Sequence, residues 1–503
     1  MDRPPENETG MPPGVLPLIR PDRLIATVAV MVATAMQTAD ATITNVALPQ
    51  LEYDLGGGIE LGAWIMTSYL CASALVAPLT GWLRRRFGAR RLFAGAVGVF
   101  VAASLACSLA PTPAVIILSR IVQGAGGGIV YPLAVAILLD LYPRQQHGQI
   151  LGIWGATAMV GPILGPAIGG IITDLASWRW VFAINLPFGA LAIWGIRRVL
   201  PKTAIASDLP IDVAGIALLA VAIAAVQLSL ARGVGQSWLH SPELLAETTI
   251  AAVASIAIAV RVHQGSFRVF RTDLFRDINF ATATFYNFMT GALLFVVIVF
   301  VPALDEGPLH YGAALAGFTL VPRGILMMLT MLLVGQSFGK IDFHILLVGG
   351  MGLMAAGLGM LSAVQPASAV SGIVIGSALQ AVGGGMLYTS LSTLGFATLA
   401  PDMRTDAAGV YSLSRQLGYA SGVALMTAVL GAQVDANLID LAARASDPGV
   451  ALSPQLIDRA NLLAYSTCFE AMAVAALVMT PGVWLFRPGS GGGLIHDPGH
   501  DPG

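Results

Sequence analysis

The sequence predicts an all-α integral membrane protein: two pseudo-symmetric six-helix bundles plus two inserted helices, fourteen transmembrane helices in all. Three observations carry that expectation. The chain of 503 residues is 56% hydrophobic and only 11% charged, with a mean hydropathy of +0.77, whereas a soluble domain has about 25% charged residues. It divides into fourteen apolar stretches near the roughly 20 residues that cross a bilayer. The segment QGAGGGIVY, Gln123 to Tyr131, recurs as QAVGGGMLY, Gln380 to Tyr388.

The stretches are 24–49, 60–83, 92–110, 114–138, 148–173, 178–198, 211–231, 244–262, 278–303, 311–333, 344–363, 370–397, 407–432 and 461–485. They are too long, and alternate too little, for a β-barrel. The repeat falls in the fourth and twelfth, so the seventh and eighth become the insert. The expected organisation is a disordered tail 1–23, a first bundle 24–198, a linker with two helices 199–277, a second bundle 278–485 and a disordered tail 486–503. His496 and His500 in the last tail are metal ligands on one reading and tail residues without functional geometry on the preferred one. Residues 431–459 form an outer loop, acidic through Asp435, Asp440, Asp447 and Asp458. Leu438, Leu441 and Ile457 suggest a short amphipathic helix within it, contacting an outside partner or, as the preferred reading, simply facing solvent.

Lys and Arg gather on one side. With the amino terminus inside, Arg3, Arg20, Arg23, Arg84, Arg85, Arg86, Arg90, Arg91, Arg144, Arg197, Arg198, Lys202, Arg261, Arg268, Arg271, Arg276, Lys340, Arg404 and Arg487 are cytoplasmic, while Arg179, Arg232, Arg444 and Arg459 lie outside. This is the positive-inside pattern. The net charge of −2 gives no reason to expect a nucleic-acid partner; anionic lipid headgroups account for the basic loops. Cys71, Cys107 and Cys468 have neither metal-ligand spacing nor a disulfide pattern. There is no phosphate-binding loop of the GxxxxGK[ST] type, so transport would draw on an ion or substrate gradient.

A charge within a membrane helix costs at least about 2.5 kcal/mol on insertion scales and marks a cavity, a partner charge or a transport route. Asp40 is the leading candidate for reversible protonation, because its proton affinity would follow burial and the position of a nearby arginine. A salt-bridge or capping role is the alternative. Arg120 shares one helix face with Gln123 and Gly124; a guanidinium does not release its proton, so it tunes an acid or holds a polar network. Arg323 and Arg415 pair with acids or line the inner vestibule, and Glu470 in the last span is a weaker site. The loop Gly81 to Arg91 anchors the inner side; Gly81 and Gly88 permit a tight turn, and Arg85, Arg86 and Arg91 are placed to latch the bundles. Gly152, Gly155, Gly161-Pro162, Gly165-Pro166 and Gly169-Gly170 give the fifth span a small-residue face suited to close packing across the bundle interface. Trp64, Tyr69, Trp154, Phe285, Tyr286, Asn287, Phe288 and Met289 are candidate linings of a substrate cavity.

These segments resemble the major facilitator superfamily, specifically its fourteen-helix drug:proton antiporter branch. The resemblance rests on Asp40 to Pro49 (DATITNVALP) in the first span and Gly81 to Arg91 in the loop. It continues in Arg120 to Gly124 (RIVQG), Gly155 to Gly170 and Trp178 to Gly189 (WRWVFAINLPFG). It departs at Arg85, where the family's loop motif has an aspartate. The resemblance implies the major facilitator fold, no enzymatic activity, no cofactor, protons as coupling ion and Asp40 and Arg120 in the coupling. It also implies multidrug efflux, and with it antibiotic resistance, from a multi-pass protein of the inner or plasma membrane. Expected partners are lipophilic, often cationic small molecules and membrane lipids, with a periplasmic adaptor and outer-membrane channel in some relatives. A dedicated lipid or metabolite transporter is the first alternative, and a non-transporting receptor or scaffold the second.

The charge bias predicts that reporters fused at Met1 and Gly503 are both cytoplasmic and that one near Asp447 is external. An external carboxyl-terminal reporter would overturn this topology.

Overall fold

Charge exclusion and caps together explain where the helices begin. The computed structural model describes residues 20–56, 58–202, 212–233, 241–267, 269–337, 340–366, 369–444 and 453–487. Residues 1–19, Arg268, Asp447, and the tail with His496 and His500 lie outside the described residues. Among the described residues, fourteen helical segments are long and apolar enough to cross a membrane. The first bundle contains α1 (Arg20–Leu55), α2 (Gly58–Val76), α3 (Thr80–Phe87), α4 (Ala89–Ser108), α5 (Pro113–Leu141), α6 (His147–Leu175), α7 (Trp178–Ala183) and α8 (Asn185–Val199). A 3-10 turn joins α2 to α3 as one span, and α7 with α8 makes another. Next come α9 (Val213–Gly233) and α10 (Pro242–His263). The second bundle contains α11 (Ile278–Glu306), α12 (Ala313–Ser337), α13 (Phe343–Ser362), α14 (Ala369–Ala397), α15 (Arg404–Arg444) and α16 (Pro454–Met479).

Side-chain oxygens satisfy the otherwise orphaned first-turn amides of several helices. Thr112 accepts from Val115 N at 3.5 Å, Ser241 from Leu244 N at 3.5 Å and Asp277 from Phe280 N at 3.0 Å. Pro113 and Pro242 follow their caps, where the missing N–H costs nothing. Gly88, at φ +75°, makes the break between α3 and α4.

Within the first bundle α1 packs on α6 and α8, and α5 on α2 and α4; in the second, α11 packs on α15 and α14 on both α12 and α13. Two helix pairs join the bundles laterally. On one flank α6 lies along α12; on the other, α15 meets α2, α3 and α5. The inserted hairpin α9–α10 covers this second flank, with α9 against both α2 and α15. Leu219, Ile223 and Ala74 share an apolar cluster there, and Arg261 Nη2 donates to Asp212 Oδ1 at 2.7 Å to tie the hairpin's end.

One expected loop is largely helical. α15 runs unbroken for 41 residues, so Leu438 and Leu441 belong to its outer extension rather than to a separate short helix. Four alanines and two leucines in residues 431–444 favour continuation. Ile457 lies in the first turn of α16.

The α6–α12 contact depends on missing side chains. A Cβ at Gly152 would fall 2.6 Å from Met331 O and 2.9 Å from Gly335 Cα. Gly152→Leu is therefore expected to lower stability by about 1–3 kcal/mol through overpacking. A thermal melt of the purified protein in detergent checks it, and an unchanged melting temperature would contradict the contact.

Candidate functional site

Asp40 and Arg120 are fully buried and meet in the first bundle. Arg120 Nη1 donates to Asp40 Oδ2 at 2.7 Å and to Gln123 Oε1 at 2.7 Å. Asp40 Oδ1 accepts from Gln123 Nε2 and from Asn185 Nδ2, each at 2.7 Å. Ser104 Oγ accepts from the same two amides, at 2.7 and 3.1 Å. Four helices thus supply the network: α1 the acid, α4 the hydroxyl, α5 the guanidinium and glutamine, α8 the asparagine.

The geometry places hydrogen-bond donors on both oxygens of Asp40. Both oxygens already accept, and three donors surround them in a dry site where charge-assisted bonds are strong. The guanidinium lies over the Tyr69 ring, 4.2 Å from its centroid, and its Nε reaches Ile65 O at 3.4 Å. Its Nη2 is buried with no hydrogen-bond partner in the described network. Removing one partner of such a buried ion pair typically costs about 3–5 kcal/mol.

A second set of charges joins the bundles at the end carrying the α3–α4 turn. Arg84 bonds Asp140 Oδ2 at 2.5 Å and Thr405 Oγ1 at 2.6 Å. Arg85 pairs with Asp406, which is fully buried, and Arg404 donates to Leu139 O at 2.9 Å. A Cβ at Gly81 would fall 2.2 Å from Asp406 Oδ1, so only glycine leaves room for this carboxylate. The departure at Arg85 has a structural counterpart: the acid sits on α15, and the arginine reaches to it from α3. Outside the spans, Arg271 bonds Asp273 at 2.8 Å and Asp402 at 2.7 Å; its hydrogen bond holds the Asp273 carboxyl below its ordinary pKa. Arg86 lies beside Trp82, and Arg91 is exposed.

Other candidates separate. Trp154 is buried, donates to Thr34 Oγ1 at 3.1 Å and packs edge-on against Tyr131 at 4.6 Å. Tyr131 and Tyr388, the last residues of the two repeats, hydrogen-bond to each other across the bundles. Arg415 Nη1 donates to Tyr388 Oη at 2.8 Å, and Arg323 Nη2 to Leu294 O at 3.0 Å and Gln380 Oε1 at 3.2 Å. Neither arginine has an acid partner among the described residues, contrary to the first of the two sequence readings. Trp64 and Phe285 are exposed, while Phe288 and Met289 are half-buried. Tyr286 bonds Met479 O near the last helix, and Asn287 Nδ2 bonds Tyr411 O at 2.7 Å. Glu470 is exposed on α16.

The glycines of α6 divide between two neighbours: Gly152 and Gly155 lie against Met331, Gly335 and Tyr388 of the partner bundle. Gly161, Gly165 and Gly169 face α1 within the same bundle, not the partner bundle; Cβ atoms there would meet Ala39 N at 2.4 Å, Thr42 Oγ1 at 2.2 Å and Ile43 Cγ2 at 3.1 Å. Their four-residue spacing selects one face, and α1 occupies it. Gly170 stands 3.9 Å from Val46 Cγ1 by the same measure, and Pro162 and Pro166 are exposed on the other side of an unbroken helix. Gly124 lies against Tyr69 O of α2.

Sequence reasoning missed Asn185, Ser104, Asp140, Asp406 and Asp305. Asp305 is fully buried; Thr319 donates to its Oδ2 at 2.8 Å, and Oδ1 has no partner among the described residues. Its signal was an acid near the end of an apolar run. Among the described residues no His, Cys, Asp or Glu cluster could hold a metal ion.

The model for the Major Facilitator Superfamily matches residues 30–423. The chain belongs to that superfamily. The multidrug export protein EmrB of Haemophilus influenzae is 30% identical over 406 residues, 80% of each chain. The probable multidrug resistance protein EmrY of Escherichia coli is 28% identical over 490 residues, 92% of this chain and 95% of the relative. The fatty acid resistance protein FarB of Neisseria gonorrhoeae is 28% identical over 491 residues, 93% and 97%. The crystal structure of the human organic anion transporter MFSD10 superposes with a TM-score of 0.62 at 16% identity, covering 95% of this chain and 100% of that one. That likeness shows the fold. The fourteen spans fit the fourteen-helix drug:proton antiporter branch, and the protein is a multi-pass small-molecule transporter rather than an enzyme.

The inter-bundle pair predicts non-additivity. Arg85→Gln and Asp406→Asn should each raise the open population at the α3–α15 end, read by spin-label distances. The double variant should be no more open than the worse single, with coupling of about 0.5–3 kcal/mol; additive effects would show that the two side chains do not act together.

Proposed function

We propose that the protein is a proton-coupled antiporter that exports hydrophobic or amphipathic compounds by alternating access. The carrying observation is Asp40: fully buried, bonded by Arg120, Gln123 and Asn185, and placed where gain of a proton would neutralise the acid that answers Arg120. With the basic loops cytoplasmic, the charge pairs of α3 and α15 close the inner end. Protonation of Asp40 would release Arg120 and loosen α5 against α1 and α8, coupling proton entry to a change in bundle packing. Gly152 and Gly335 allow α6 and α12 to move as a smooth contact.

The names of the similar proteins support the export of small lipophilic compounds. Proposed partners are those compounds and the surrounding lipid, with a periplasmic adaptor and outer-membrane channel where the cell has two membranes. A non-transporting scaffold would have no use for two buried charges, whose cost inert apolar packing avoids.

Asp40→Asn keeps the side chain's size but cannot cycle a proton. In proteoliposomes it should lose gradient-driven accumulation while the folded protein retains substrate binding. Arg120→Lys keeps charge but loses the planar donor fork and should also cut flux, by about tenfold or more if one charge-assisted bond is lost. Normal coupled flux by a folded D40N protein would sink the coupling role; normal flux and affinity in R120K would reduce Arg120 to packing.

A further inference from the structure

Three contacts fix the register of α4 against α8. Asn185 Nδ2 donates to Ser104 Oγ at 3.1 Å, Val101 Cγ2 fills the space that a Cβ on Gly189 would need, and a Cβ on Gly98 would stand 4.0 Å from Ile193 Cδ1. The numbers rise along α8 as they fall along α4, so the two helices run antiparallel toward the end carrying the α3–α4 turn. The contacts loosen on the way, and a Cβ on Gly95 would meet nothing within 4 Å. There Ala190, Ile193, Trp194, Arg197 and Arg198 of α8 line an open groove of ≈ 660 Å³.

The groove is apolar along its length and cationic at one end. Trp194 and Gly95 are exposed, and Gly98 is half-buried. Arg197 and Arg198 occupy the last turn of α8, and both are exposed. Neither pairs with a carboxylate among the described residues. Carried one turn beyond Gly95, the register sets the exposed Arg91 of α4 level with Leu200, within about one turn of both arginines. These basic residues stand at the ends of their spans, where lipid phosphates lie, and Trp194 stands one turn inside, at the level where membrane proteins place tryptophan.

We infer that the α4–α8 groove binds one anionic phospholipid. Arg197 and Arg198 hold the phosphate, because a planar guanidinium meets phosphate oxygens with paired donors. Trp194 flanks the glycerol region, and an acyl chain lies over Gly95 and Gly98, where larger residues would displace it. Basic pockets between membrane helices take anionic headgroups for the same reason. The lipid is a resident ligand rather than a transported compound, so the inference is independent of the direction and coupling of transport. Its effect reaches the interior, since α4 and α8 bring Ser104 and Asn185 to the Asp40 network. A ligand that binds only the packed helix pair stabilises that packing.

Native mass spectrometry of the purified full chain in non-ionic detergent tests this, with dioleoyl phosphatidylglycerol and dioleoyl phosphatidylcholine as probes. The first phosphatidylglycerol should bind at least about tenfold more tightly than the first phosphatidylcholine, since each basic side chain near a membrane surface is worth roughly a factor of five. Joint Arg197→Gln and Arg198→Gln should erase that preference. Joint Arg276→Gln and Lys340→Gln, which removes two exposed charges elsewhere, should keep it. Gly95→Leu probes the groove without changing charge. No neighbour obstructs the new side chain, and phosphatidylglycerol should bind severalfold more weakly. Glycerol phosphate, the headgroup without chains, should not compete. Equal affinity for the two lipids, a preference that survives R197Q/R198Q or vanishes in both charge variants, wild-type binding by G95L, or competition by glycerol phosphate would each overturn the site. If R197Q/R198Q fails to fold, the wild-type preference and G95L decide the matter.

Discussion

A charge inside a helix bundle surrounded by lipid cannot borrow water to satisfy it. Whatever answers it must come from neighbouring helices, at fixed distances and with the right polarity. Asp40 and Arg120 impose that requirement on the first bundle: α1, α4, α5 and α8 must all converge for the acid to keep its three donors. The glycines that bring α6 onto α1 and α5 onto α2 follow from the same convergence, since bulkier residues would hold the backbones apart.

The two bundles share a fold but not an electrostatic plan. In the first, positive and negative groups are matched within one interior. In the second, Arg323 and Arg415 rely on carbonyls, an amide oxygen, a phenol and aromatic faces. The duplicated segment therefore conserves shape more closely than charge. Its glutamines hold a guanidinium in each half, and its terminal tyrosines meet between the halves.

Much of this architecture was legible in the sequence. The fourteen spans follow from the length of the apolar runs, and Asp40 and Arg120 from the cost of placing charge within them. Their partners were harder to read. Asn185 and Ser104 are uncharged and sit in otherwise ordinary apolar stretches, so nothing in their local pattern distinguishes a bond to Asp40 from a bond to their own helix. Asp140 and Asp406 resemble solvated acids at helix ends; only the approach of α3 to α15 reveals them as buried partners of Arg84 and Arg85. The end of α15 was misread because low hydropathy was taken for the end of the helix, although its residues remain good helix formers.

The 41 residues of α15 give it a length of about 60 Å at the usual helical rise, roughly twice the hydrocarbon thickness of a bilayer. One end carries Asp406 in the contact with α3, and the other extends beyond the apolar span toward Arg444. Such a rod is a lever. If it pivots at the Asp406 end by about 10°, its far tip sweeps about 10 Å by simple trigonometry, so a loss of one ion pair at one face of the membrane becomes a displacement at the other large enough for another molecule to feel.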